Sequence, residues 1–333
     1  MGLSLPAVHN QPDGGWVCEI CQNKKGNKIH SVREMMLGFR DMFRYLECEA
    51  CGCLQLLNPP RDMARYYPSD YTAFCGNERS QIVLLQRIRH YLRKRRNQSF
   101  LKRQDWLGRL LARRYDHLQL KAFVRIGARQ EARILDVGCG SGTFLMDLKE
   151  LGYENLLGVD RFIPQSIACS CGVRVMKGAL EDLVGTSWDV IMFHHSFEHM
   201  PDPARVLQRV VDLLAPGGRC LIRIPVVGWA WKHYGVNWVQ LDAPRHLFLH
   251  TETSLRMLAG AVGLDVQNVS YDSNEYQFWV SELYMRDVTL ASVRMRAPRN
   301  VFSKSTLRDF RSRAARLNSE RRGDAAVFEL IKL

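Results

Sequence analysis

The sequence predicts an α/β protein: a Rossmann-like parallel sheet over residues 130–333, preceded by a basic helical linker and a small cysteine-rich module. Three observations predict it. From Ala132 onward, short apolar runs alternate with stretches of helical spacing, as strands joined by crossover helices do. The first of those runs leads into a glycine-rich turn, Gly138-Cys139-Gly140-Ser141-Gly142. Two Cys-x-x-Cys pairs, Cys18/Cys21 and Cys48/Cys51, stand near the N-terminus. At 333 residues and 46% hydrophobic content, the chain can bury one large core plus an appendage.

Residues 1–15 are rich in Pro, Gly and Asn and read as a disordered tail. The N-terminus lacks the charged start and apolar core of a secretion signal, and no run reaches the roughly 18 apolar residues of a membrane span. A cytoplasmic protein is therefore expected, and its ten cysteines are not read as a disulfide framework. Cys75, Cys169, Cys171 and Cys220 are read as small packing residues.

The cysteine module covers 16–72 and closes in the turn-rich runs Asn58-Pro59-Pro60 and Tyr66-Tyr67-Pro68. Cys18, Cys21, Cys48 and Cys51 supply four thiolates in two chelating pairs, and Gly52 permits the tight turn that aims N–H groups at sulfur. Four sulfurs fill a tetrahedral zinc site with no open position, so the zinc is expected to be structural. The 26 residues between the pairs, 22 to 47, suit a zinc-ribbon-like module with a long hairpin. Cys53 is the alternate to Cys51.

The segment 79–129 is read as basic amphipathic helices. Between Arg79 and Arg133 stand sixteen Lys or Arg against three acids, Asp105, Asp116 and Glu131, an excess equal to the whole net charge of +13. Leu84, Leu85, Ile88 and Leu92 recur at helical spacing, as do Leu107, Leu110, Leu111, Tyr115 and Leu118, which predicts two helices broken near Asn97-Gln98-Ser99. Tyr91-Leu92-Arg93-Lys94-Arg95-Arg96 could lie on an anionic membrane, each basic residue adding about 1 kcal/mol. It could also track a nucleic-acid backbone, or be a solvated face packed on the catalytic domain. The expectation taken forward is peripheral contact at the inner face of an anionic membrane.

Arg133–Val137, Leu156–Val159, Val173–Met176, Val190–Phe193 and Cys220–Ile224 read as buried strands. Phe144–Leu151, Ala204–Leu214 and Leu255–Val262 read as helices between or beyond them, Pro216-Gly217-Gly218 ending one and turning into the next strand. Asp265–Val269 and Ala326–Ile331 complete the sheet, with a helical insertion at about 274–323 between them.

In Ile134-Leu135-Asp136-Val137-Gly138-Cys139-Gly140-Ser141-Gly142-Thr143 a strand runs through glycines into a helix. Such a turn admits a ligand close to backbone, and the new helix aims free N–H groups at the same place. A nucleotide-like ligand is implied at the strand's carboxyl end. The spacing is Gly-x-Gly-x-Gly, with Thr143 where a dinucleotide fingerprint has its last glycine. The strand also ends in Asp136, which would hold an ammonium group and repel a pyrophosphate. Asp160, at the end of the second strand, can accept from both hydroxyls of a ribose, and Asp182 could meet an adenine edge.

From Arg133 to about Gly263 the chain resembles the class I S-adenosylmethionine-dependent methyltransferases. The resemblance implies their seven-stranded sheet and S-adenosylmethionine as cofactor. It also implies the methionine part held at Asp136, Gly138, Cys139, Gly140 and Gly142, with the ribose at Asp160. Phe193-His194-His195-Ser196-Phe197-Glu198-His199-Met200-Pro201-Asp202-Pro203 and Trp238–Leu247 resemble segments of the ubiquinone-methyltransferase-like branch. If the acceptor is a hydroxyl, a histidine suits removal of its proton near neutral pH. His195 is the first candidate and His246 the second, while Glu198 and His199 read as turn-forming partners. Trp229, Trp231, Trp238 and Trp279 read as acceptor pocket or as the core of a lid. The module ahead of the catalytic domain, with its Cys-x-x-Cys-Gly, Pro-Pro and Tyr-Tyr-Pro run, is similar to bacterial proteins that act on glycans or secondary metabolites. The expected function is transfer of a methyl group, on oxygen, to a small-molecule or glycan acceptor, the glycan lipid-linked if the helices meet a membrane. The alternative is an RNA or other nucleic-acid methyltransferase that grips the polymer with the zinc module and basic helices. It is weakened because Phe193-His194-His195-Ser196 stands where an Asn/Asp-Pro-Pro-Tyr motif belongs.

Overall fold

A computed structural model describes residues 16–67, 83–101, 105–114, 117–293 and 298–333. The tail expected over 1–15, the end of the cysteine module at 68–72, the start of the basic segment at 79–82 and Cys75 lie outside the described residues. The chain opens with β1 (Lys28–Arg33), β2 (Met42–Glu47) and β3 (Leu54–Leu57), followed by α1 (Val83–Leu101), α2 (Trp106–Arg114) and α3 (Leu118–Ile126). Then come β4 (Ile134–Val137), α4 (Thr143–Glu150), β5 (Leu156–Asp160), β6 (Ile167–Ala168), β7 (Arg174–Lys177) and β8 (Trp188–His194). They are followed by α5 (Pro203–Leu213), β9 (Leu214–Pro225), α6 (Trp229–Tyr234), β10 (Phe248–Leu249), α7 (Glu252–Ala261) and β11 (Leu264–Tyr271). The last elements are α8 (Tyr276–Met285), α9 (Leu290–Val293), α10 (Pro298–Val301), α11 (Lys304–Ser319) and β12 (Ala325–Lys332).

Two compact units divide these elements. The second unit, Ser69–Ser196 with Arg209–Arg223 and Glu329–Leu333, carries most of a sheet whose strand order is β11-β12-β9-β8-β4-β5-β7-β6. β4 pairs in parallel with β5 and β8, β5 with β7, and β8 with β9, as the apolar, two-face-buried runs require. The Rossmann-like strand order is the expected one, with one addition. Two-residue β6 runs antiparallel to β7 and makes the sheet eight-stranded. Between β8 and β9 the register slips from Trp188↔Leu214 to Val190↔Arg219, so Ala215–Gly218 form a bulge inside a long strand rather than a plain helix stop.

The basic segment forms three helices, not two, and α1 runs unbroken through Asn97-Gln98-Ser99. Two oxygens of the residues that suggest a break find partners inside the helix. Ser99 Oγ donates to the Arg96 carbonyl at 2.7 Å, and Asn97 Oδ1 accepts from the Arg96 guanidinium at 2.7 Å. Part of the positive charge is neutralised locally. Arg93 Nη2 pairs with Glu150 at 3.1 Å, and Arg95 grips Asp105 with two nitrogens at 2.9 and 2.7 Å.

The first unit comprises the described residues of Met1–Pro68, Phe197–Gln208 and Ile224–Phe328. The cysteine module is thus grouped with later chain rather than ending at residue 72. Its antiparallel strands β1-β2-β3 gain a fourth, β10, which pairs Phe248↔Gln55 and Leu249↔Leu54. Tyr45, Leu46, Leu54 and Leu56 share one core with Trp238, Phe278 and Phe310. At about 25 cal/mol per Å² of apolar burial, that shared core is what keeps the ribbon from standing alone. The insertion between β11 and β12 holds α8–α11. Phe278 of α8 stacks on Phe310 of α11 with centroids 5.3 Å apart. The tryptophans read as pocket or lid lie in this core: Trp238 donates to Asp324 at 3.0 Å and Trp231 to Glu47 at 3.0 Å. Among the described residues no helix is long and apolar enough to cross a membrane.

Candidate active site

In the second unit β4 ends at Val137 and the chain turns through three glycines with left-handed backbone, Gly138 at φ +73°, Gly140 at +54° and Gly142 at +75°. Side chains are excluded as well by crowding. A Cβ on Gly138 would lie 2.4 Å from Ser196 Cβ, and one on Gly142 2.7 Å from a Val175 methyl. Ser196 Oγ donates to the Val137 carbonyl at 2.6 Å, tying the turn to the end of β8. Gly142 is the N-cap of α4. The turn therefore presents bare backbone at a helix N-terminus.

Asp160 is built into the turn. Its Oδ2 accepts from Gly140 N at 2.8 Å and its Oδ1 from Phe162 N at 2.8 Å. Each oxygen keeps a lone pair for a further donor. Asp136 is the opposite case: it is buried, and its Oδ1 has no hydrogen-bond partner. Burial, and then the charge of Asp160, push its carboxyl up to about 8. An unmet oxygen on a buried carboxyl beside a second carboxylate suits a hydrogen-bond donor or a cation as its partner. Cys139 turns its sulfur toward β5, where Gly158 is the residue that makes room: a Cβ there would sit 2.4 Å from Cys139 Sγ. Asp182 is exposed and accepts from Ala179 N at 2.8 Å.

Sequence reasoning missed Gly158 and Ser196 as supports of this loop. A glycine inside the apolar strand Leu156–Asp160 is the signal for the first. His195, at the end of β8, holds φ +54°, a left-handed backbone uncommon for a residue with a side chain, and its N–H donates to the Arg223 carbonyl at 2.8 Å. The preceding His194 is buried with neither ring nitrogen hydrogen-bonded, its ring edge-on to Phe144 at 4.9 Å. Burial holds its pKa well below 6.5.

The first unit gathers the four cysteines into one cluster with all sulfurs within 4.8 Å of one another. Cys18 and Cys51 sulfurs are 3.6 Å apart and Cys21 and Cys48 sulfurs 3.5 Å. A zinc–sulfur bond of about 2.3 Å places tetrahedral sulfurs about 3.8 Å apart, so the set fits the ion. The two pairs sit in matching knuckles, each closed by a left-handed residue just after the second cysteine, Gln22 at φ +60° and Gly52 at φ +71°. Cys51 N–H points at Cys48 Sγ at 3.5 Å. The long hairpin β1–β2 spans the gap between the pairs, and Cys53 is buried outside the cluster. His246, the second candidate base, also lies in this unit, grouped with Glu198 and His199.

A family profile described as a methyltransferase domain matches residues 86–269, more than half of the chain. Among curated proteins the chain is similar to "Ubiquinone biosynthesis O-methyltransferase" of Psychrobacter cryohalolentis. The two are 29% identical over 132 residues, which are 36% of this chain and 51% of that relative. The same-named protein of Xylella fastidiosa is 33% identical over 102 residues, 27% of this chain and 41% of the relative. The chain thus spans about half the length of the curated relatives it matches. Among solved structures it is similar to the cyclopropane synthase MmaA2 from Mycobacterium tuberculosis, at 15% identity and TM-score 0.42, over 63% of this chain and 81% of that one. With the profile covering residues 86–269 and the glycine turn inside it, the chain belongs to the methyltransferase-domain family, of the class I S-adenosylmethionine-dependent kind.

Proposed function

We propose that this chain transfers the methyl group of S-adenosylmethionine to a hydroxyl of a small-molecule or glycan acceptor. The observation that carries the donor site is Asp136, buried with an unmet oxygen at the glycine turn. Its carboxylate would receive the donor's ammonium group. Gly138, Cys139, Gly140 and Gly142 would admit the amino-acid portion against bare backbone. Asp160, its oxygens already oriented by Gly140 and Phe162, would accept from the two ribose hydroxyls. Asp182 would be an outer contact to adenine.

When bound, the donor supplies a methyl group on a sulfonium sulfur, a good leaving group. The chain's own residues align the acceptor in line with it and keep water out. His195 would remove the acceptor's proton, a role worth about 10²–10⁴ in rate. His246 is the second candidate for that role. Its Nδ1 is committed to the Gln240 carbonyl at 2.7 Å, and its Nε2 faces Glu198 and Asp242. An oxygen acceptor of small size is supported by the relatives named for ubiquinone biosynthesis. Cys18, Cys21, Cys48 and Cys51 would hold a structural zinc ion. Peripheral contact with an anionic membrane is supported by exposed Ile88, Tyr91, Trp106 and Leu110 among the arginines and lysines of α1 and α2.

Calorimetry with the demethylated product S-adenosylhomocysteine tests the donor site, followed by methyl transfer to a panel of phenols and glycans. Micromolar binding that Asp136→Asn abolishes is expected, with turnover that His195→Gln lowers at least a hundredfold at unchanged affinity. A folded protein without affinity for that nucleoside would sink the reading.

A further inference from the structure

The first unit contains a second group of metal-ligating side chains, unrelated to the cysteines: Glu198 and His199, just before α5, and His246, just before β10. One ligand atom from each lies within 4.8 Å of the others. His246 Nε2 is 3.9 Å from Glu198 Oε1 and 3.6 Å from Asp242 Oδ2. Glu198 and His246 are buried, and the two imidazole rings lie 4.8 Å apart.

The hydrogen bonds settle which nitrogen of each ring is free to bind. His246 Nδ1 lies 2.7 Å from the Gln240 carbonyl, and His199 Nδ1 lies 2.8 Å from the Arg245 carbonyl. A carbonyl oxygen only accepts, so each Nδ1 carries the proton and each Nε2 carries the lone pair. This is the arrangement that metal-binding histidines adopt, one nitrogen donating to a backbone carbonyl and the other left to the ion. Both anchoring carbonyls belong to the loop Gln240–Arg245. Within that loop Asp242 holds a left-handed backbone at φ +36° and takes the Arg245 Nη2 on both oxygens at 2.6 and 2.7 Å. The strained residue and its ion pair fix the loop that orients the rings.

We propose that Glu198, His199 and His246 bind a first-row divalent metal ion. Two imidazoles and one carboxylate suit zinc, iron, manganese or cobalt over magnesium or calcium, and three protein ligands leave at least one position open. Bonds near 2.1 Å put neighbouring ligand atoms about 3–4 Å apart. The His246–Glu198 distance of 3.9 Å already meets that range. Binding draws the rest of the group inward by about an ångström.

The test titrates the full-length, zinc-loaded protein with Co²⁺ alone, so that the thiolate cluster is already filled. Uptake of about one equivalent is expected, with visible absorption that lacks thiolate-to-cobalt charge transfer. In the proton spectrum two strongly shifted ring N–H signals should appear in H₂O and vanish in D₂O. Glu198→Gln should weaken uptake at least tenfold, and Cys48→Ser should leave these signals in place. The two N–H signals are read on the unsubstituted protein, so a Glu198 variant that fails to fold does not remove the test. Folded protein that takes up no Co²⁺, or takes it up without histidine N–H signals, overturns the proposal.

Discussion

Gly140 donates its backbone N–H to Asp160 Oδ2 at 2.8 Å, so the acid at the end of β5 and the glycine turn after β4 form one piece. Phe162 N–H fixes the other oxygen at 2.8 Å. Asp160→Asn would replace one of these acceptors with an amide that faces an N–H. The mismatch costs about 1–3 kcal/mol. Affinity for S-adenosylhomocysteine is expected to fall about tenfold to a hundredfold by calorimetry, and an unchanged affinity would remove Asp160 from the site.

Asp136 should make that affinity depend on pH. Burial and the charge of Asp160 push its carboxyl up to about 8, whereas the proposed ammonium partner would need it ionised. Below pH 8 binding would therefore release a proton. The dissociation constant is expected to fall as pH rises from 6 toward 8, by at most tenfold per unit. Above that the trend should level off, and reverse only where the ligand's own ammonium group begins to lose its charge. Proton release appears in calorimetry as a heat that varies with the buffer. A flat profile in the unsubstituted protein would contradict the assignment.

Much of this second unit was legible in the sequence because its signals are local. A strand, a glycine turn and a helix lie within residues 134–150, and each runs where the apolar spacing places it. The cysteine knuckles were legible for the same reason. What could not be read is what depends on distant chain. β10 is two residues long, too short for any periodicity, yet it completes a sheet with β3. The core that unites Tyr45 and Leu54 with Phe278 and Phe310 was hidden likewise, so the module looked independent. Asn97 and Ser99 suggested a break in α1 because their side chains compete for backbone, a competition the fold resolves within the helix. Glu198 and His199 were read only as turn partners. Their third neighbour, His246, is brought in by tertiary contacts.

Gly158 offers a test of how tightly the loop is packed. A methyl group added there would meet Cys139 Sγ at 2.4 Å and a Leu145 methyl at 2.9 Å. Overpacking of this kind costs about 1–3 kcal/mol. Gly158→Ala is expected to lower the urea midpoint accordingly and to weaken nucleoside binding by displacing Cys139. Adding Cys139→Ala should restore part of both losses, since the closest atom is then gone. Independent, additive effects in the double-mutant cycle would contradict the packing described.

Stability of the ligand-free protein should also titrate, Asp136 and His194 pulling in opposite directions. Asp136 holds its proton to about pH 8 in the folded state, against 3.8 when unfolded. Between those values the folded state binds more protons, so its stability falls as pH rises, by at most about 1.4 kcal/mol per unit. His194 is depressed well below 6.5 by burial, so the unfolded state takes up its proton first, and stability falls as pH drops below 6.5. Between pH 6.5 and 8 Asp136 lowers stability as pH rises, so the urea midpoint of the unsubstituted protein should decline there relative to that of Asp136→Asn. Saturating S-adenosylhomocysteine, whose ammonium group replaces the proton, should abolish the decline. Asp136→Asn should lack that contribution and lose stability more steeply below pH 6.5, where Asp136 no longer offsets the loss. A difference between the two midpoints that stays constant from pH 6.5 to 8 would show that Asp136 does not hold its proton there, and would remove it as the partner of the donor's ammonium group.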